Sequence, residues 1–335
     1  MFDLLKTLCE LDGVSGNESA VRDFIISQIK DYCEVKVDNI GNIIAFKKGK
    51  NVPEKKLMLD AHTDEVGLVI TGITEDGFLK FTTVGGIETS AMLSRRVLIN
   101  GKTEGVIGNK PIHLTHGDEA KALPEKEVLY IDIGAKDKAQ AQAAVSLGDT
   151  AVIKGGYLEC GEMIRSKALD DRVGCAVLIK MIKEYDDFDF YASFSTQEEI
   201  GLRGAGVSAY TINPDSAIIV EGTTAGDIAD TPEDKSVCNV GKGAVVSFMD
   251  KTTLYDRDYF NAAVNSVLPV QVKRAATGGN NAGKVHTSRS GVKTLAISVP
   301  CRYIHSATSV ASKSDINAVY DLVKYMADKI LRESL

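Results

Sequence analysis

The sequence predicts an α/β fold interrupted by a small inserted all-β domain. Three observations predict it. Helix-period apolar segments stand near both ends of the chain. Short apolar runs of the kind that suit buried parallel strands occur at 57–59, 190–194, 217–220 and 294–299. Between about 67 and 162 the texture changes to short alternating stretches separated by glycine turns, the pattern of a small β-domain. The expected division is therefore 1–66 with 163–335 as one α/β domain, and 67–162 as the insert.

Each element has its own signal. Val21, Phe24, Ile25, Ile29 and Tyr32 recur at helical spacing. A hairpin follows, with Val35 and Val37 on one arm, turn residues Asn39 to Asn42, and Ile43 to Phe46 on the other. Leu57-Met58-Leu59 is a short buried-strand run that ends in Asp60-Ala61-His62-Thr63-Asp64. Inside the insert, strand-sized segments fall at Leu68–Ile70, Phe78–Phe81, Arg96–Ile99, Val128–Ile131 and Thr150–Ile153. Asp170 and Asp171 are placed to cap a helix carrying Val173, Val177 and Met181. The chain closes on an amphipathic helix with Ile316, Tyr320, Val323, Met326 and Ile330, for which Ser314 is the expected N-cap.

Bulk composition narrows the function. The 335 residues are 44% hydrophobic and 25% charged, which is ordinary for a protein with a large core. A formal net charge of -7 argues against a nucleic-acid or anionic-membrane partner. No apolar run approaches transmembrane length, and Met1–Lys6 lacks the pattern of a secretory signal. The six cysteines are scattered without a Cys-x-x-Cys pair, so reduced thiols in a cytoplasmic protein are expected.

The chemistry is concentrated in a few residues. Glu198 and Glu199 stand side by side just after a strand-like run and before a glycine-rich turn. Adjacent carboxylates repel and are costly to desolvate, so the position is poor for stability. It makes sense if one binds a metal and the other serves as a base on water. His62, Asp170, Glu199, Glu221 and His305 form the candidate ligand set, each near a strand end or a loop entering a helix. That edge of an open α/β sheet is where ligands bind. Singly, each has a plainer reading: a core histidine for His62, a helix cap for Asp170, a pairing carboxylate for Glu221, a loop hydrogen-bonder for His305. Together, carboxylates and imidazoles at five such positions suit two metal ions sharing a carboxylate. Asp64 is placed to hold the His62 imidazole from behind. His113 and His116 read as surface or loop residues, and His286 as either a plain loop histidine or a substrate contact.

With these residues assembled, the chain resembles the tetrahedral, dinuclear metallo-aminopeptidases, among them glutamyl, leucyl and lysyl aminopeptidases and some members labelled endoglucanase. The matching segments are Ala61–Gly67, Ala168–Gly174, Gln197–Ala205 and Pro300–Ser306, with Gly105–Pro111 in the insert. The resemblance implies one divalent ion, zinc or cobalt, on His62, Asp170 and Glu221. It implies a second on Asp170, Glu199 and His305, with Asp170 bridging. It also implies Glu198 as general base, Asp64 orienting His62, and a zinc-peptidase α/β domain whose β-insert serves assembly into a twelve-subunit tetrahedral homo-oligomer. Short peptides are the implied substrates. Glu221 departs from the family's usual aspartate. Asn280-Asn281 departs from its usual Thr-Asp, a change expected to bear on substrate preference.

Two other readings compete. One is another dinuclear metal hydrolase, a deacylase or a glycan-acting enzyme. The other is a non-catalytic assembly protein of the same fold. Glycan cleavage needs an independent acid–nucleophile pair, which the proposed roles leave unfilled.

Overall fold

The computed structural model describes residues 1–117, 122–232 and 235–332. Its centre is an eight-stranded sheet. In spatial order the strands are Glu34–Val37, Ile43–Lys47, Phe190–Ser195, Leu57–His62, Ser216–Thr224, Lys293–Cys301, Ala244–Val246 and Val270–Val272. The four strands from Phe190–Ser195 to Lys293–Cys301 run parallel, so their carboxyl ends share one edge.

The apolar runs follow from burial on both faces. Leu57 and Leu59, Ile218 and Val220, and Leu295 and Ile297 point into one core. Helices Phe2–Glu10, Ser19–Ile29, Leu169–Glu184 and Lys313–Arg332 supply the other side of that core. Met58, Ala217, Ile219 and Ala296 point the opposite way, against Ala205, Ala209 and Val285 of helices Arg203–Ile212 and Ala282–Val285. The period-2 alternation of a strand is what lets one apolar run serve two layers.

The inserted segment closes into a six-stranded antiparallel barrel. Its strands are Gly67–Ile73, Leu79–Val84, Tyr130–Asp132, Thr103–Gly108, Arg96–Ile99 and Thr150–Ile153 in spatial order. The barrel has its own core, with Leu68, Ile70, Val97, Ile107 and Ile131 buried in it. Closure removes the open edges that a small sheet would otherwise expose. Leu158–Cys160 lies outside the barrel, in a three-stranded sheet with Met163–Ser166 and Ser309–Ser312.

Several expectations change. The insert is not all β: Lys138–Ala144 is a helix, capped by the Asp137 side chain, which accepts from the Gln140 N–H. Val128 sits in a 3-10 turn, and the strand there starts at Tyr130. Tyr32 lies beyond its helix, which ends at Ile29, and is 48% exposed. The last helix begins at Lys313, so Ser314 is not its cap; the Ser312 hydroxyl accepts from the Ser314 N–H instead. Asp171, not Asp170, caps the helix after it, accepting from the Gly174 N–H at 3.0 Å. Asp170 precedes the regular helix, with φ -84° and ψ 109°, and its side chain is therefore not committed to the helix.

Arg172 is fully buried beneath this corner. It donates to the carbonyls of Thr63 and Leu11 at 3.0 and 3.1 Å, and also to Leu8. Lys167 beside it donates to Glu65 at 2.6 Å. The guanidinium thus ties the first helix to the end of the strand that carries His62. Arg172→Met preserves much of the volume but strands those carbonyls and removes a charge from a buried network. It should destabilise the protein by about 3–5 kcal/mol in urea denaturation. A loss under about 1 kcal/mol would show that the network is not structural.

Candidate metal centre

The site is built at the carboxyl edge of the parallel strands. His62 is the last residue of Leu57–His62, and Glu198 and Glu199 lie in the turn after Phe190–Ser195. Glu221 differs from expectation: it sits inside Ser216–Thr224 rather than at the strand's end, opposite Ser298. His305 follows Lys293–Cys301 on an exposed turn, in the left-handed region with φ 57°.

The other four candidate ligands converge on Asp170. Its Oδ1 lies 3.3 Å from His62 Nε2, which is also 3.3 Å from Glu221 Oε1. Its Oδ2 lies 3.4 Å from His305 Nε2, which is also 3.4 Å from Glu199 Oε1. One carboxylate thus faces two histidine–glutamate pairs, one through each oxygen. Glu198 Oε2 stands 4.0 Å from His62 Nε2.

Both imidazoles are oriented from behind. His62 Nδ1 faces the Asp64 backbone oxygen at 3.1 Å and Asp64 Oδ1 at 3.3 Å. His305 Nδ1 faces the Gly86 backbone oxygen at 2.9 Å. With acceptors on that side, Nδ1 is a donor and Nε2 is the ring atom that meets the carboxylates. Asp64 does more than the sequence suggested. Its carboxylate also accepts from the N–H groups of Glu198 and Glu199, at 2.9 and 3.1 Å, and from the Ser15 hydroxyl at 2.6 Å. Asp171 Oδ2 accepts the His62 N–H at 3.1 Å.

The donor set fits divalent ions. Burial pushes the Glu198 carboxyl up to about 7 and Glu199 up to about 8, and the Asp170 charge adds to both. Burial raises Glu221 well above its usual range in the same way. Burial opposes charge on the imidazoles too, yet the facing carboxylates win and lift His305 to about 9. These are the marks of an acidic cluster lacking positive charge. Asp170 Oδ1 and Glu221 Oε2 are buried without a hydrogen-bond partner. The separations of 3.3–3.4 Å match the edge of a tetrahedron of about 2.0–2.1 Å bonds to nitrogen and oxygen.

Beside the cluster lies a cavity of about 660 Å³. The carboxylates lining it are Asp170, Glu198, Glu199 and Glu221. Asn280 lines it too, whereas Asn281 lies beneath, donating to Asp60 Oδ2 at 2.7 Å and to the Ser195 hydroxyl at 2.8 Å. An aspartate at 281 would meet Asp60 there, so the amide removes a buried like-charge contact. His286 is elsewhere: it lines a separate cavity with Lys55, Asp215 and Lys293, and makes no contact with the centre. His113 and His116 are exposed in the insert, as expected.

Sequence reasoning missed the supports. Ser15, Asp171 and the Gly86 carbonyl are each brought to the site by long-range contacts. Asp171 had a signal in its adjacency to Asp170; Ser15 and Gly86 had none.

Taken together, the sheet edge, the shared carboxylate and the cavity define a metal-dependent hydrolase of the zinc-peptidase kind. Comparisons with known proteins agree. The sequence pattern of the family described as M42 glutamyl aminopeptidase matches residues 41–322. An Acetivibrio thermocellus protein provisionally named an aminopeptidase is 39% identical over 96% of this chain and 97% of its own length. A TET aminopeptidase from a marine-sediment thaumarchaeon superposes with a TM-score of 0.94 at 31% identity, covering 99% of this chain and 97% of its own. The Pyrococcus horikoshii TET1 peptidase, whose structure is described as assembling into a tetrahedron or a large octahedral shell, gives a TM-score of 0.84 at 32% identity, covering 97% and 98%. The chain belongs to the peptidase M42 family and is a hydrolase of peptide bonds. Peptidases of this family are metal-dependent. Among the described residues no helix is long and apolar enough to cross a membrane.

The bridge assignment can be checked directly. Asp170→Ala removes the carboxylate that faces both histidine–glutamate pairs and leaves Glu198, Glu199 and Glu221 crowded. Elemental analysis should then find at most one zinc or cobalt ion per subunit after reconstitution. Two ions bound in that variant would overturn the assignment.

Proposed function

We propose that this protein is an aminopeptidase that removes N-terminal residues from short peptides through a dinuclear metal centre. The observation that carries the reading is Asp170, with one oxygen facing His62 and Glu221 and the other facing His305 and Glu199. His62, Asp170 and Glu221 would hold one divalent ion, and Asp170, Glu199 and His305 the other, with zinc or cobalt suiting the donors. When bound, such ions acidify a water and polarise the scissile carbonyl.

The chain's own residues do the rest. Glu198 is the carboxylate at the centre that is spare of the ligand set, and it is the general base. It takes the proton of the attacking water and delivers it to the leaving amine. Asp64 fixes the His62 tautomer and, through the Glu198 and Glu199 N–H groups, the backbone from which both glutamates project. The acidic cavity suits a free α-ammonium, which favours the first residue of a peptide over internal ones. Glycan cleavage is the weaker alternative: every carboxylate lining the cavity already belongs to the centre, leaving no separate acid–nucleophile pair. A non-catalytic role leaves the buried, partnerless carboxylate oxygens without a purpose. The six cysteines are unpaired, which suits the cytoplasm.

Glu198→Gln keeps the size of the side chain and removes the base. Metal content should stay near two ions, while turnover of free-amine peptides falls about a hundredfold or more. N-acetylated peptides and chelator-treated protein should give no hydrolysis. Equal cleavage of blocked and free peptides would sink the aminopeptidase reading.

The barrel is proposed as the assembly element, in keeping with the shell of the horikoshii relative and with a tetrahedral dodecamer of this chain. It carries none of the five ligands, and it presents Leu147 and Val106 to solvent. A closed shell would admit short peptides and exclude folded proteins. Replacing 67–153 by a short linker should give smaller species by light scattering. Retention of the native mass by a variant whose circular dichroism shows it folded would rule the barrel out as the assembly element.

A further inference from the structure

We propose that Glu18 is a positioning residue for Glu198, holding the backbone from which the general base projects. The inference rests on the reading of Glu198 given above and adds a residue that the reading does not use.

The loop after Phe190–Ser195 gives away four N–H groups in succession. Thr196 donates to Asn42 Oδ1 at 2.8 Å and Gln197 to Glu18 Oε1 at 3.2 Å. Glu198 and Glu199 donate to the two oxygens of Asp64, at 2.9 and 3.1 Å. The acceptors come from segments 134 to 179 positions away, and all three are buried. Most turns satisfy their N–H groups from neighbouring carbonyls or from water. This loop is hung from distant side chains instead, which fixes it against the rest of the molecule.

Gln197 is the strained member. Its φ of 57° lies in the left-handed region, which residues other than glycine populate sparsely. Its N–H is the one that Glu18 takes. Truncating Glu18 leaves that N–H without an acceptor in a part-buried place, and the peptide unit between 196 and 197 then turns to find another. Glu198 is the next residue, with Oε2 4.0 Å from His62 Nε2. A misplacement of about 1 Å near the chemistry costs on the order of a hundredfold in rate.

The plainer role for Glu18 is a helix cap, since it stands at the N-cap of Ser19–Ile29. Its side chain makes no cap bond to that helix. The carboxylate turns away, and the same Oε1 accepts from the Gly16 N–H at 2.8 Å. Gly16 has φ +87°, a conformation that suits glycine. The turn around it is anchored on both sides. The Ser15 hydroxyl donates to Asp64 at 2.6 Å, and the Asn17 amide donates to the Thr150 hydroxyl at 2.8 Å. One oxygen therefore joins this turn to the loop that carries Glu198. A glutamine carbonyl oxygen can accept the same two bonds, so the geometry asks for an acceptor here rather than a charge.

The experiment uses the full-length protein reconstituted with zinc or cobalt, and leucyl and glutamyl p-nitroanilides. Glu18→Ala should lose about 10- to 100-fold in kcat, with KM within about threefold and metal content unchanged. Glu18→Gln should stay within about threefold of wild type. The decisive variant is the double one. If Glu18 acts through Glu198, adding Glu18→Ala to Glu198→Gln should change kcat by no more than about twofold. Losses that multiply in the double variant, an equal loss in Glu18→Gln, or a loss of metal in Glu18→Ala would overturn the proposal. Retained turnover in Glu198→Gln alone would instead overturn the general-base reading. Amide hydrogen exchange, followed by mass spectrometry over residues 195–203, needs no turnover and reads the loop directly. Exchange there should quicken by about tenfold or more in Glu18→Ala and not in Glu18→Gln. Unchanged exchange in Glu18→Ala would show that Glu18 does not hold the loop.

Discussion

The structure depends on holding groups together that repel. Asp170, Glu198, Glu199 and Glu221 meet in one buried space, opposite the Nε2 atoms of two imidazoles. In water such groups would separate, and in a low-dielectric interior their repulsion is larger. A hydrophobic core alone does not resist it, because apolar packing is indifferent to which way a carboxylate turns. The resistance comes from backbone. His62 and Glu221 are fixed by strands paired within the sheet, and Asp170 is fixed by the turn that leads into a buried helix. The acids are thus set on the stiffest part of the molecule.

A second layer of buried polar groups steadies the first. Asp64 accepts from Ser15, Glu198 and Glu199 while backing His62, so one carboxylate fixes two loops and a ring. Asp171 does the same for the strand end and the helix start. Arg172, Lys167 and Glu65 form the network beneath. Each charge in this layer is satisfied, which is what makes it affordable inside a protein. Two carboxylate oxygens above it, Asp170 Oδ1 and Glu221 Oε2, are buried without a hydrogen-bond partner.

Much of this was legible in the sequence, for local reasons. Apolar runs marked the parallel strands, and the polar residues that followed each run, His62, Glu198-Glu199 and His305, fell at the edge where sites form. Glu221 was found as a residue, but its position was misjudged, because a strand that continues through Glu-Gly-Thr-Thr has no apolar signal past Val220. The helix Lys138–Ala144 has almost no apolar periodicity, and the strand Thr103–Gly108 begins and ends in polar or glycine residues, so neither announced itself. The role of Asn281 was also hidden. Its partner Asp60 is 221 positions away, and nothing local says that the two meet.

The least legible contact joins the two parts of the molecule. His305 is the most exposed of the candidate ligands, with 35% of its side chain accessible, and it sits on a turn rather than a strand. Its ring is aimed by a carbonyl of the barrel segment, that of Gly86. The residue before it, Gly85, has φ +81°, and a Cβ there would come within 2.8 Å of Val66 and 3.2 Å of Glu199. Only glycine lets this loop approach the acids closely enough for its neighbour's carbonyl to reach the imidazole. A backbone carbonyl can come from any residue type, so the sequence gives no sign of the contact. The barrel is therefore not a separate appendage. It carries none of the candidate ligands, yet the Gly86 carbonyl in its segment meets the ring of one, His305.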